Sequence, residues 1–230
     1  MSPPPSLVVL EYLDLDTPAL ALPTSSLDSA ERERAARFHF DEDRRRFIHG
    51  RAWLRLRVAE LLGIDPKAVE FTTIGERGKP AVVGTAPTFN LSHSAHYGLL
   101  AIHADGLPLG VDIELARPFE RAARIAARHF NAAEAAAVAA APEGPEREAV
   151  FFRTWTRKEA YLKLTGLGLP GGLACVETGT EAAARALLVP AEHGLASAWV
   201  TSLALPASAP TGLLAALAAP CAVAVNWRSA

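Results

Sequence analysis

The residues best suited to chemistry fall into three clusters. In Gly110-Val111-Asp112-Ile113-Glu114, strand geometry puts residues two apart on one face, so Asp112 and Glu114 aim at one place while Val111 and Ile113 enter the core. Two carboxylates so placed repel each other unless a positive charge sits between them, and a hard divalent cation such as Mg²⁺ would supply it. Taken alone, an Asp-x-Glu pair is more often a solvated strand face. The second cluster is Trp155-Thr156-Arg157-Lys158-Glu159-Ala160-Tyr161-Leu162-Lys163. Here Phe152, Trp155, Glu159 and Leu162 share one helical stripe, which sets a carboxylate in line with the apolar residues that dock the helix. That is a costly place for an unpaired acid. Glu159 could simply pair with Lys163 one turn on, worth a few tenths of a kcal/mol. Yet Lys158 and Lys163 are two of only four lysines among 23 basic residues, which singles them out. The third cluster joins Gly78-Lys79-Pro80 to Asn90-Leu91-Ser92-His93-Ser94: a lysine held by a turn and a Ser-His-Ser strand end are natural partners for phosphate. A serine-hydrolase reading fails, because adjacent residues of an extended segment point apart and no nucleophile elbow is present.

Helices and strands must carry these clusters. Val8-Val9-Leu10 reads as a strand, and Asp28 with Glu31 three residues on forms a capping box for a helix to about Phe38. Helical spacing then runs from Asp41 to Leu62 and stops at Gly63. Strands are expected at Val69 to Thr73, Pro80 to Val83, Thr88 to Leu91 and Tyr97 to His103. A turn at Asp105-Gly106-Leu107-Pro108 divides residues 1–107 from residues 108–230. Beyond it come a strand from Leu109 to Leu115, a helix from Phe119 to His129, another capped by Asn131 and Glu134, and a long helix from Glu146 to about Thr165. Further strands are expected at Ala174 to Glu177, Ala198 to Leu205, Leu213 to Ala218 and Ala222 to Trp227. Helices followed by a meander, stated twice, predict an α+β fold of two similar halves.

Composition narrows the class. The net charge of −2 offers no global attraction to nucleic acid or to an anionic membrane, so any anion site is local. Two cysteines, Cys175 and Cys221, are too few for a disulfide framework, as expected in a reducing cytoplasm. Met1-Ser2-Pro3-Pro4-Pro5 lacks the pattern of a signal peptide. Prolines at 206, 210 and 220 break the uncharged stretch from Leu203 to Val225, which reads as two buried strands rather than a membrane span.

In order and spacing the three clusters resemble those of the Sfp-type 4′-phosphopantetheinyl transferases, in the branch with Trp-x-x-Lys-Glu-Ala. The resemblance implies an intramolecular pseudo-dimer of two α/β halves with coenzyme A in the cleft between them. It implies Mg²⁺ held by Asp112, Glu114 and Glu159, with Glu159 also the candidate base and Asp112, Glu159 and Lys163 the catalytic set. Contacts to coenzyme A would come from Arg46, Lys79, Pro80, Ser92, His93, Lys158 and Lys163, with Lys163 facing the diphosphate. Arg34, Arg37 and Arg51 are further candidates for the 3′-phosphate. The activity implied is transfer of 4′-phosphopantetheine from coenzyme A to a serine of an acyl, aryl or peptidyl carrier protein, releasing 3′,5′-ADP, by a cytoplasmic monomer. Arg117, Arg121 and Arg124 would suit an acidic carrier, and equally suit a solvated helix face.

Three other readings compete. A relative that binds coenzyme A or carrier without catalysis would be expected to lack part of the acidic set, which is complete here. A Mg²⁺-dependent phosphohydrolase would call for further ligands suited to two metals. An arginine-rich nucleic-acid binder is opposed by Asp41, Glu42 and Asp43 at the head of the arginine-bearing helix.

Overall fold

The computed structural model describes residues 6–75, 78–84, 86–168 and 172–229. The proline-rich residues 1–5 therefore lie outside the described residues.

The first half opens with strand β1 (Leu7–Asp14) and helix α1 (Ser29–Ala36). Both bonds of the expected capping box form: Glu31 N–H donates to Asp28 at 2.8 Å and Asp28 N–H to Glu31 at 3.0 Å. Helix α2 (Asp41–Leu62) ends on Gly63 in the left-handed conformation. Then come the hairpin β2 (Phe71–Ile74) and β3 (Lys79–Val82), and the hairpin β4 (Thr88–Ser94) and β5 (Tyr97–His103). The second half runs β6 (Gly110–Leu115), α3 (Ala122–His129), α4 (Ala132–Ala140), α5 (Pro145–Thr165), β7 (Arg185–Leu187), β8 (Ala198–Ser202), β9 (Leu213–Ala219) and β10 (Ala224–Arg228).

The repeat expected from element order is present. In each half an opening strand pairs antiparallel with the last strand of a meander, β1 with β5 and β6 with β9, and a helix of similar length packs on the sheet. The sheets run β10-β1-β5-β4 and β6-β9-β8-β7. In the first, Trp53, Leu54 and Val58 of α2 bury against Phe89, Leu100 and Ile102. In the second, Phe151, Phe152, Tyr161 and Leu162 of α5 pack against Val200, Ala216 and Ala218. Between the halves a third cluster joins Leu10, Leu99 and Ala101 to Val111, Ile113, Ala215 and Leu217. Alternation therefore sends Val111 and Ile113 of β6 into the apolar core between the halves and leaves Asp112 and Glu114 on its other face, towards α5 and the serines of β4.

Two expectations need correction. Ala174 to Glu177 is not a strand: the segment is a succession of turns. Cations of α5 take the Val176 carbonyl within it and the flanking carbonyls, Lys158 that of Leu173 and Arg157 that of Thr178, which holds the segment against the helix rather than in a ladder. Of the two buried strands read within Leu203 to Val225, β9 is buried, but β10 is half-buried to exposed, and the two do not pair with each other. Strand β10 crosses to the first half and runs parallel to β1, Leu7 opposite Ala224. No helix among the described residues is long and apolar enough to cross a membrane.

Candidate active site at the junction of the two halves

The carboxylates come together because β6 and α5 approach closely. A Cβ on Gly110 would lie 2.1 Å from the Ala160 carbonyl oxygen and 2.3 Å from Leu164 N, so only glycine permits the contact. That contact sets Glu159 and Lys163 of α5 beside Asp112 and Glu114 of β6.

Lys163 Nζ donates to Asp112 Oδ1 at 2.7 Å and to Ser92 Oγ at 2.8 Å, while Ser92 Oγ itself donates to Asp112 Oδ1 at 2.8 Å. Asp112 Oδ2 is buried with no partner among the described residues. Burial pushes the Asp112 carboxyl up from its ordinary range against the opposing pull of Lys163 and Ser92. Glu114 is also raised by burial, countered by the hydroxyl of Ser94 at 2.7 Å. Glu159 is pushed up to about 7 by burial and then by the negative charge of Asp112, with Lys163 opposing and Glu114 adding. After burial, Asp112 raises both Glu114 and Glu159, and Glu114 raises Glu159; with one buried oxygen unpartnered among the described residues, the acidic set is short of positive charge.

That donor set fits a hard cation in its chemistry: all oxygen, two residues from one strand and one from a facing helix. Among the described residues, no three such side chains stand close enough to enclose a cation as they are, and Lys163 occupies one oxygen of Asp112.

Beside this set lies a cleft of about 350 Å³ in the first half. Its walls include Arg34, Arg46, Phe47, Pro80, Asn90 and His93. His93 is lowered by burial and by Lys163, and is also influenced by Asp112 at one end and Asp43 and Arg46 at the other, so it stands between the acidic set and the arginine rim. Arg46 is held by Asp16, donating through Nε at 2.8 Å and Nη2 at 2.7 Å. Arg51 is held by Glu31 at 2.6 Å and lies over the Phe71 ring. Arg34 lies over the Phe47 ring and has no ion pair among the described residues. A larger hollow of about 720 Å³ on another face of α1 and α2, lined by Arg32, Arg44 and Ile48, includes none of the acidic set.

Of the residues singled out in the sequence, the structure thus gathers Asp112, Glu114, Glu159, Lys163 and Ser92 in one place, with His93, Pro80 and Arg46 on the adjoining cleft. It does not bring Lys158 or the Lys79 ammonium there. Lys79 Nζ donates to the Leu109 carbonyl at 2.9 Å and the Leu164 carbonyl at 3.3 Å, tying β3 to the start of β6 and the end of α5. Burial lowers it to about 8. Lys158 is five positions before Lys163, roughly 140° around the helix, and only 1% exposed. It pairs with Glu134 Oε2 at 2.6 Å and donates to the Leu173 and Val176 carbonyls. Asn90 and Ser94 belong to the third cluster, but their roles across the junction are not readable from the sequence. Their signal was available, since Asn90, Ser92 and Ser94 share one face of a strand, but their partners on β6 lie some twenty residues away.

The α+β molecule of two similar halves thus carries an acidic set at their junction and an arginine-rimmed cleft beside it, an arrangement suited to a phosphorylated ligand. Comparison with known proteins agrees. Residues 108–218 match the 4′-phosphopantetheinyl transferase superfamily and residues 17–105 match the 4′-phosphopantetheinyl transferase N-terminal family. The chain is 37% identical over 178 residues to the 4′-phosphopantetheinyl transferase HetI of Nostoc sp., covering 72% of this chain and 74% of that protein. It is 39% identical over 145 residues to psf-1 of Bacillus pumilus, covering 62% of this chain and 59% of that one. With Sfp of Bacillus subtilis the identity is 31% over 146 residues, covering 63% and 62%. The chain belongs to the 4′-phosphopantetheinyl transferase superfamily, on the Sfp side of it. The matched part spans less than two thirds of the length of psf-1 and of Sfp.

Proposed function

We propose that the chain transfers 4′-phosphopantetheine from coenzyme A to a serine of an acyl, aryl or peptidyl carrier protein, releasing 3′,5′-ADP, with Mg²⁺ as cofactor. The observation that carries this reading is Asp112 Oδ2, a buried carboxylate oxygen without a partner among the described residues, in a cluster where Glu159 is raised by burial and then by its acidic neighbours. Asp112, Glu114 and Glu159 would hold the cation, whose contribution when bound is to neutralise charge on the diphosphate oxygens. Mn²⁺ would serve the same ligands.

The residues of the chain do the rest. As the carrier serine oxygen bonds to the β-phosphorus and the diphosphate bridge breaks, Lys163, hydrogen bonded to Ser92 and Asp112, would stabilise the charge left on the 5′-phosphate of the departing 3′,5′-ADP. Glu159, with an affinity for protons near neutrality, accepts the proton of the attacking carrier serine. Arg34, free of carboxylates among the described residues, and Arg46, shared with Asp16, would receive the 3′-phosphate, and Pro80 and His93 would line the nucleotide end. Lys79 and Lys158 support these positions from behind. The reaction is cytoplasmic, the chain acts as a monomer, and residues 1–107 and 108–230 are its two working halves.

The test is to follow 3′,5′-ADP by chromatography in mixtures of the protein, coenzyme A and Mg²⁺. Release that rises with the concentration of apo carrier supports the transferase. Release without any carrier would instead identify a hydrolase acting on coenzyme A.

A further inference from the structure

Ser94 stands outside the groups assigned above. It closes β4 and is 9% exposed. Leu115 N–H, from the second half, donates to its Oγ at 3.2 Å, and that Oγ donates to Glu114 Oε2 at 2.7 Å. The first contact occupies a lone pair, so the hydroxyl proton is turned to the carboxylate. One step of two back along the strand, Ser92 meets Asp112; one more step back, Asn90 Oδ1 accepts from Val111 N–H at 2.8 Å.

These rungs matter because β4 and β6 are edge strands of different sheets, and no backbone ladder joins them. The side chains of Asn90, Ser92 and Ser94 therefore fix their register. Immediately after Ser94 the chain reverses through Ala95, whose φ of 52° is a left-handed conformation uncommon for a residue other than glycine. The tight turn keeps Ser94 opposite Tyr97 and delivers its hydroxyl to the other half.

We infer that Ser94 is a positioning residue for Glu114, its hydroxyl fixing that carboxylate across the junction of the two halves and thereby the spacing of the pair on β6. The inference rests on the proposed assignment of Asp112, Glu114 and Glu159 as cation ligands. Hydrogen-bonding partners of ligating carboxylates typically carry about 10–100-fold in metal affinity.

The experiment titrates Mn²⁺ into the complex of the full chain with coenzyme A and reads bound Mn²⁺ by electron paramagnetic resonance, for the wild type, Ser94→Ala and Ser94→Thr. Coenzyme A binding without metal is measured alongside. The expected result is Mn²⁺ affinity weakened about 10-fold or more in Ser94→Ala, recovered in Ser94→Thr, with metal-free coenzyme A binding unchanged in both. If Ser94→Ala melts early, Ser94→Val against Ser94→Thr makes the same comparison at equal volume. Wild-type Mn²⁺ affinity in Ser94→Ala overturns the inference alone. A wild type that binds coenzyme A but no Mn²⁺ overturns the cation assignment and the inference together.

Discussion

At the scale of residues, Glu159 carries the most distinctive chemistry. Its proton affinity is raised from an ordinary 4.5 to about 7, so between those values the folded chain holds a proton that the unfolded chain has released. Stability contributed at this position therefore falls as pH rises through that window and levels off above it. Glu159→Gln removes the effect. Without added metal, its melting temperature should exceed that of the wild type above pH 7, by the equivalent of about 1–2 kcal/mol after solvent screening, and the gap should shrink towards pH 4.5. A gap independent of pH would show that the carboxylate is not raised. The strand period puts Asp112 and Glu114 on one face and the helix period sets Glu159 in the docking stripe, but only the resemblance to the family joins them with Lys163 in one site, because neither period shows that β6 and α5 meet. The place of Lys158 was not legible in the sequence, because a rare lysine beside a functional glutamate gives no hint that its counter-ion is Glu134, on another helix.

At the scale of elements, α5 serves two sides at once. One flank presents Glu159 and Lys163 to β6; the other sends Arg157 and Lys158 into the segment after the helix. Glu134 completes that anchor, accepting from Thr178 N–H at 2.7 Å, Thr178 Oγ1 at 3.0 Å and Gly179 N–H at 3.0 Å while it pairs with Lys158. Removing one member of a buried pair strands the other charge, at a cost of about 3–5 kcal/mol. Lys158→Met should therefore lower the unfolding free energy by that order, and Glu134→Gln combined with it should cost clearly less than the two single changes added. The KM for coenzyme A of folded Lys158→Met should stay near the wild-type value. A raised KM with unchanged stability would return Lys158 to the cleft. The strand expected at Ala174 to Glu177 was misread for the same reason: β-branched and small apolar residues suggest a ladder, but charged side chains distant in sequence claim the carbonyls.

At the scale of the whole molecule, the duplicated order of helices and meander was readable because each half repeats the same periods. The exchange at the end of the chain was not. Nothing in Ala224–Arg228 distinguishes pairing with β9 from pairing with β1; the choice is made by the open edge of β1. There Arg228 also meets Glu60 at 2.8 Å, and Glu60 shares Arg57 with the buried Glu11 of β1. Strand β10 thus fastens the end of the second half to the first. Removing residues 222–230 should lower the unfolding midpoint and promote association through the bared β1 edge, read by denaturant unfolding and light scattering. An unchanged midpoint would show that the halves hold together without it.

The proposed transfer to a carrier at the acidic junction is tested most directly by the intact mass of an apo carrier protein after incubation with this chain, coenzyme A and Mg²⁺, beside Glu159→Ala. The expected result is a gain of one phosphopantetheine on the carrier that requires both the metal and Glu159. An unmodified mass across acyl, aryl and peptidyl carriers, from a folded protein that binds coenzyme A, would contradict it.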